Sequence, residues 1–407
     1  MKFNDLHLSD PILRSLKDQN YKKPTPIQAE VIPAVLNNSD VMAAAQTGTG
    51  KTAAFVLPIL SKLSNPKYKY KGHQLRALIV TPTRELAAQV RESVNTYSKY
   101  LSIRSTAVYG GARIHNQRLK LRKGIDVLVA TPGRLLDLHN QKSVNLKNIE
   151  ILVLDEADQM LDMGFIHDIK KIVNLLPDRR QNLMFTATFS DSFRSLATNM
   201  AEKAIEISVT NDNETGENIN HFIHPVDKSR KAELLIELIK TKKWDQVLVF
   251  TRTKHGADRL QKQLDKVNIN SKAIHGNKTQ NNRMKALEAF KNNKIQILVA
   301  TDVAARGIDI KRMSQVINFD VPTVAKDYVH RIGRTGRGGD MGEAITLVSA
   351  DEFRLLRDIE KLINKKLESV EIEGFEPDHE VPIKDEPNKK RFHNKKGFKK
   401  RNKSRKG

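Results

Sequence analysis

The sequence predicts two tandem α/β domains, each built on a parallel sheet, followed by a basic C-terminal tail without a core. Three observations carry the two-sheet prediction. Short, wholly apolar, β-branched runs alternate with helix-length segments through most of the chain, as strands buried on both faces of a parallel sheet do. Two of these runs recur as matched pairs at one spacing. Finally, 407 residues exceed what a single ordinary core fills.

The predicted strands of the first half are Leu78 to Val80, Val127 to Val129, Ile151 to Leu154 and Leu183 to Phe185, with the apolar Val41 to Ala44 before them. Those of the second half are Val247 to Phe250, Lys272 to Ile274, Ile295 to Val299 and Val316 to Phe319. Leu78 to Arg84 (LIVTPTR) matches Leu248 to Lys254 (LVFTRTK), and Leu128 to Thr131 (LVAT) recurs as Leu298 to Thr301. Thr81 to Thr131 and Thr251 to Thr301 both span 50 residues, so the matches fall in register and favour duplication of one fold. The polar, turn-rich Thr210 to Asn218 reads as a linker, which divides the chain into domains 1–209 and 220–374 around residues 210–219. Residues 375–407, rich in Pro, Lys and Asn, cannot bury apolar surface and read as a disordered tail.

Composition excludes several function classes. With no Cys there is no disulfide framework, thiolate metal site or cysteine nucleophile, and a reducing cytoplasm fits best. No apolar run approaches the ~20 residues of a membrane span, and Asp5 and Asp10 interrupt the place of a signal peptide. The net charge is +23, and Pro387 to Gly407 holds eleven Lys or Arg and no acid. A polyanion is the natural partner, and nucleic acid suits better than lipid because no amphipathic apolar face accompanies the basic run. His221 and His224, three apart without Cys or HExxH, read as part of a solvated interdomain segment rather than metal ligands. Trp244, the only tryptophan, reads as packing.

Ala45 to Thr52 (AQTGTGKT) joins a strand to a helix. Such a loop (Ala45, Gln46, Thr47, Gly48, Thr49 and Gly50) closes backbone N–H groups around phosphates, with Lys51 on the β and γ phosphates and Thr52 on Mg²⁺. Ala45 stands where the general pattern has Gly. Ile151 to Asp158 (ILVLDEAD) delivers acids at a strand's carboxyl end, where Asp155 can position Mg²⁺ through water and Glu156 can accept a proton from the attacking water. Together with Lys51 they mark an NTPase. The second half has no such glycine-rich loop, so its role must be complementary. His330 to Arg337 (HRIGRTGR) places Arg334 and Arg337 three apart among glycines, a pattern that suits equally arginines supplied across an interface to a phosphoryl group and a basic surface loop.

With these motifs in place, residues Phe3 to Gly374 resemble the DEAD-box RNA helicases of superfamily 2, in their bacterial RhlE-like branch, which implies that the two α/β domains are RecA-like. Tyr21 to Gln28 (YKKPTPIQ) resembles the family's Q motif, which implies that Gln28 reads the adenine edge, with Tyr21 beside it and Phe3 stacked on the base. Asn20 stands where Gly is usual, a departure that bears on the local turn. The resemblance further implies RNA-backbone contacts by Pro82, Thr83 and Arg84 of PTRELA, by Gly110 and Gly111, and by Thr131, Pro132, Gly133 and Arg134 of TPGR. Thr186 and Thr188 (TAT, in place of Ser-Ala-Thr) and Asp158 would couple the ATP and RNA sites. In the second domain it implies RNA contacts by Arg252, His275, Gly276, Gln280, Arg283, Thr301 and Asp302, a ribose contact by Asp309, and catalytic roles for His330, Arg334 and Arg337. Such contacts position a strand without reading its sequence.

The expectation is therefore an RNA-dependent ATPase and helicase using ATP and Mg²⁺. It acts locally on single strands and short duplexes, as a cytoplasmic monomer with no membrane attachment and with ribosomal or RNA-decay ribonucleoproteins as partners. A DNA-acting enzyme and an ATP-gated RNA clamp are its rivals, the second opposed by the intact Lys51, Glu156, Arg334 and Arg337.

Overall fold

The computed structural model describes residues 1–45, 48–65, 73–187, 189–209, 219–305, 313–336 and 341–378. Gln46, Thr47, Thr188, Asp309, Arg337, the 210–218 stretch and the basic tail from residue 379 lie outside the described residues.

Among the described residues, fourteen strands form two seven-stranded sheets. The first holds β1 (Val41–Ala44), β2 (Ala77–Val80), β3 (Ser105–Val108), β4 (Val127–Ala130), β5 (Ile151–Leu154), β6 (Gln181–Thr186) and β7 (Ile205–Ser208) in the order β3-β4-β2-β5-β6-β1-β7. The second holds β8 (Ile219–Pro225), β9 (Val247–Phe250), β10 (Ser271–Ile274), β11 (Ile297–Ala300), β12 (Gln315–Asn318), β13 (Gly342–Val348) and β14 (Glu368–Ser369) in the order β10-β11-β9-β12-β13-β8-β14. Subtracting seven from each label of the second reproduces the first, and every pairing is parallel.

The duplication extends to single bonds. Leu78 pairs with Leu128 and Leu248 with Leu298 in register. Thr81 N donates to Ala130 O and Thr251 N to Ala300 O, both at 2.9 Å. Two residues on, Thr83 and Thr253 each cap a helix, their hydroxyls accepting from Leu86 N and Gly256 N. The Thr-X-Thr repeat is thus a strand end plus a helix cap, used twice.

Wholly apolar strands arise because helices cover both faces. Along β2, Ala77 and Ile79 join one core while Leu78 and Val80 join the opposite one. Along β9, Val247 and Val249 separate from Leu248 and Phe250 in the same way. Phe55, on the helix Lys51–Leu63, meets Phe185 of β6 with ring centroids 5.0 Å apart, both rings fully buried. Truncating either to Ala costs about 3–5 kcal/mol and loosens the helix that carries Lys51.

Two expectations are corrected. His221 and His224 do not lie in a solvated segment: they sit in β8, where His224 is buried and its Nδ1 lies 2.6 Å from Val370 O, while His221 Nδ1 lies 3.1 Å from the Tyr328 hydroxyl. Strand β8 is hidden in the sequence because its polar Asn220, His221 and His224 find partners or solvent at one sheet end. The tail also begins later than residue 375, since Phe375 packs on the second domain under the Arg230 guanidinium, 4.7 Å from its ring centre. Trp244 is buried in that same core, as expected of a packing residue.

Candidate active site

In a parallel sheet, ligands gather at the carboxyl ends of the strands. Strands β5, β6 and β1 are consecutive neighbours, so the loops that follow them converge. Ala45 N donates to Thr186 O at 3.1 Å, joining the start of the glycine-rich loop to the end of β6. Gly48 and Gly50 take φ of 88° and 92°, the left-handed region that glycine enters freely. A Cβ on Gly50 would stand 2.3 Å from Gln28 Nε2, so this position requires glycine twice over.

Lys51 begins the helix after the loop, is buried, and its Nζ has no hydrogen-bond partner among the described residues. Asp155 and Glu156 are buried beyond the end of β5, and Glu156 Oε2 is likewise without a partner. Glu156 is held at φ 54° as the cap of the helix Ala157–Asp162, an uncommon conformation for a residue with a Cβ. Burial pushes the pKa of both acids up. For Glu156 the adjacent Asp155 carboxylate adds to the rise, while the positive charges of Lys51 and Arg334 oppose it. A buried ammonium whose Nζ makes no hydrogen bond, with two buried carboxylates within reach of its charge, is the donor set for an anion carried with a divalent cation, and the residues fit ATP with Mg²⁺.

Asp158 links this cluster to β6: its Oδ2 accepts from Ala187 N at 3.0 Å, in the turn that follows Thr186. Gln28 is buried beside the loop, its Oε1 accepting from Thr25 N at 3.0 Å and its Nε2 donating to Gly50 O at 3.2 Å. Both ends of the expected adenine reader are thus engaged with its own helix cap and the phosphate loop. Phe3 stacks on Tyr21 with centroids 6.3 Å apart, and Tyr21 bonds the Tyr97 hydroxyl at 3.0 Å, so the aromatic pair stands together. Asn20 adopts φ 57°, a left-handed turn that Asn tolerates, which is why Gly is dispensable there.

The expected RNA contacts of the first domain also come together. Arg84 lies against Gly110 and Gly111, and a Cβ on Gly111 would fall 2.0 Å from its guanidinium. Arg134 NH1 donates to Ala112 O at 3.2 Å, drawing the TPGR turn to the double glycine. Gly133 is open, with nothing within 4 Å of where a Cβ would stand.

The second domain departs from expectation. His275 is buried, its Nε2 3.0 Å from Asp258 Oδ1, so only Gly276 of that pair stands open. Asp302 gives both carboxylate oxygens to Arg331, at 2.6 and 2.8 Å. Arg252 donates NH2 to Glu352 Oε1 at 2.7 Å and to Val321 O at 3.2 Å. Gln280 and Arg283 do not face an open surface. They cross to the first domain, where Gln280 Nε2 and Arg283 NH2 reach Glu85 Oε1 at 3.0 and 2.8 Å. In this arrangement a contact between domains replaces the expected contact with RNA. Arg334 is buried and its charge acts on Glu156, placing a second-domain arginine at the first-domain acids.

Glu85, Arg331 and Glu352 are the residues that sequence reasoning passed over. Glu85 and Arg331 lie inside motifs already singled out, and an acid on the buried face of the first turn of an amphipathic helix was the available signal for Glu85.

Two tandem RecA-like domains, with a glycine-rich phosphate loop leading into Lys51 and an arginine supplied across the cleft, define a nucleoside-triphosphate-driven motor of the helicase type. The DEAD/DEAH box helicase model matches residues 25–196, and the helicase conserved C-terminal domain model matches residues 230–339. The chain is 42% identical over 370 residues to the DEAD-box ATP-dependent RNA helicase RhpA of Helicobacter pylori, covering 91% of this chain and 74% of the relative. Saccharomyces cerevisiae Dbp5 bound to RNA and ADP BeF3 superposes with a TM-score of 0.81 at 31% identity, covering 91% of this chain and 95% of that one. The DEAD box protein of Methanococcus jannaschii, 38% identical, superposes with a TM-score of only 0.53, covering 91% and 99%. Higher identity with lower overlap points to domain arrangement rather than domain fold, so the two halves here stand nearer the arrangement in RNA-bound Dbp5. The chain belongs to the DEAD-box helicase family.

Proposed function

We propose that this protein is an RNA-dependent ATPase that opens short RNA duplexes and remodels RNA–protein complexes by closing its two domains around ATP and a single strand. One observation carries the reading: the charge of Arg334 reaches Glu156 across the cleft while Gln280 and Arg283 hold Glu85. The catalytic set is complete only when the domains meet.

Lys51 binds the β and γ phosphates, and Glu156 holds the attacking water and takes its proton. Arg334, with Arg337, stabilises charge as the γ-phosphoryl leaves. Asp155 and Thr52 would hold Mg²⁺, which neutralises phosphate charge. The Asp158–Ala187 bond carries changes at the acids to the end of β6, and so toward the strand-binding turns. RNA stabilises the closed form and thereby stimulates turnover. Gly110, Gly111, Arg84 and Arg134 hold the backbone in the first domain, with Gly276 and Thr301 in the second; Arg252 does so with whatever its ties to Glu352 and Val321 leave free. An RNA substrate supports a cytoplasmic site of action; among the described residues no helix is long and apolar enough to cross a membrane. ATPase rates with RNA and with DNA of the same sequence test the reading, because 2′-OH contacts should decide between them. Equal stimulation by both would overturn it.

A further inference from the structure

The helix Ile114–Arg122 lies at the edge of the first sheet, against β3, and follows the Gly110–Gly111 turn directly. Its inner face is fixed by the buried Gln117 and Leu121. Gln117 grips the turn itself, its Oε1 accepting from Tyr109 N and its Nε2 donating to Tyr109 O, both at 3.1 Å. From Lys99 to Ile125 there is no Asp or Glu. Every charged residue of the helix and its flanks is basic, and Arg113, Lys120, Arg122 and Lys123 are exposed. Arg104 joins them, its NH1 donating to Lys123 O at 2.9 Å. The next acid in the chain, Asp126, is already engaged by the Arg104 backbone N–H and by His73. A helix interior and edge with cations and no counter-charge raises the local potential and invites a polyanion.

We propose that this helix is an accessory RNA-binding face, which takes backbone phosphates of the strand as it runs past the segment held by the core. The inference rests on the reading that Arg84, Gly110 and Gly111 hold RNA. Continuity supports it: Gln117 and Arg134 tie the helix and the TPGR turn to the same double-glycine loop, so a strand lying on those glycines meets Arg113 next. The helix is about 14 Å long, enough for a few phosphates. Contacts of this kind add affinity without sequence preference and make affinity steeply salt-dependent.

The test uses the full-length chain with a non-hydrolysable ATP analogue and two oligouridylates, one just long enough to stimulate turnover fully and one extended at both ends. Three proteins are compared by fluorescence anisotropy across salt: wild type, Arg113→Gln/Lys120→Gln/Arg122→Gln/Lys123→Gln, and a charge-matched control carrying Lys240→Gln/Lys262→Gln/Lys266→Gln/Lys361→Gln. All three keep the C-terminal tail. Wild type and control should bind the longer RNA more tightly. The helix variant should lose much of that gain, with a log–log salt slope shallower by up to about 2.8, four contacts at ~0.7 each. Its affinity for the short RNA and its turnover on it should stay unchanged. A helix variant that keeps the full length advantage and slope, or one weakened equally on both RNAs, overturns the proposal. If wild type binds neither RNA and neither stimulates its ATPase, the functional reading fails instead.

Discussion

Glu85 and Arg283 meet at 2.8 Å from opposite domains, each side chain less than a tenth exposed. The pair is nearly desolvated, and Gln280 completes it by donating to the same Glu85 oxygen. Removing one member of such a pair leaves the other charge buried and uncompensated, which costs about 2–5 kcal/mol. The cost falls on the closed arrangement alone, because opening the cleft returns both groups to water.

Glu85→Gln is therefore expected to raise the RNA concentration needed for half-maximal ATPase stimulation by about tenfold or more, since each 1.4 kcal/mol is a factor of ten. ATP binding without RNA should be unaffected. Combining it with Arg283→Gln should cost much less than the sum of the single losses, as contacting residues do. Strictly additive effects in steady-state kinetics would mean that the pair does not form during turnover.

Glu156→Gln keeps the shape of the side chain but cannot take a proton. Turnover should fall by about 10²–10⁴ while ATP and RNA still bind, so the variant should be trapped on RNA with ATP. Rapid RNA release in a chase experiment, with ATP hydrolysed at the normal rate, would move the water-activating role to another residue.

Arg334→Ala should lower the maximal rate at saturating ATP and RNA by on the order of 10³, with little change in ATP affinity of the open protein. The arginine acts only after closure, so a fluorescent-nucleotide titration without RNA should not distinguish it from wild type. Weak ATP binding combined with an intact maximal rate is the result that would remove it from the catalytic set.

His221 gives a pH prediction away from the cleft. Burial, assisted by the charge of Lys365, lowers its pKa to about 4. Its ordinary value in an unfolded chain is about 6.5, so the unfolded chain takes the proton first. The native state therefore keeps its full stability above that value and loses it as pH falls from about 6.5 toward 4. Because the ring is only partly buried, the loss is on the order of 1–2 kcal/mol. His221→Gln, which can still bond Tyr328, should lose correspondingly less than wild type between pH 7 and 4.5 in denaturant titrations. Parallel losses in the two proteins would refute it.

The parts legible in the sequence are those written in contiguous residues. The loop before Lys51 and the acids after β5 each combine a strand end with its own turn, so spacing alone places them. The duplicated Thr-X-Thr segments pointed to one fold used twice, and each indeed ends a strand and caps the helix that follows it. What stayed hidden depends on distant partners. Nothing near His275 announces that Asp258 will draw its ring inward, and nothing near Asp302 announces the guanidinium of Arg331. Strand β8 escaped because two histidines and an asparagine break its apolar pattern, and its pairing with β13 and β14 makes it a strand.

The 195 residues between Glu85 and Gln280 also set an order of events during synthesis. At roughly 5–20 residues per second, Glu85 emerges about 10–40 s before the residues that cover it, and domains generally fold as units, N-terminal first. Its carboxylate must therefore be tolerable in water on a finished first domain. A contact that the ribosome delivers this late is not needed to build the first half, so the cleft can part without undoing the sheet that carries Lys51 and Glu156.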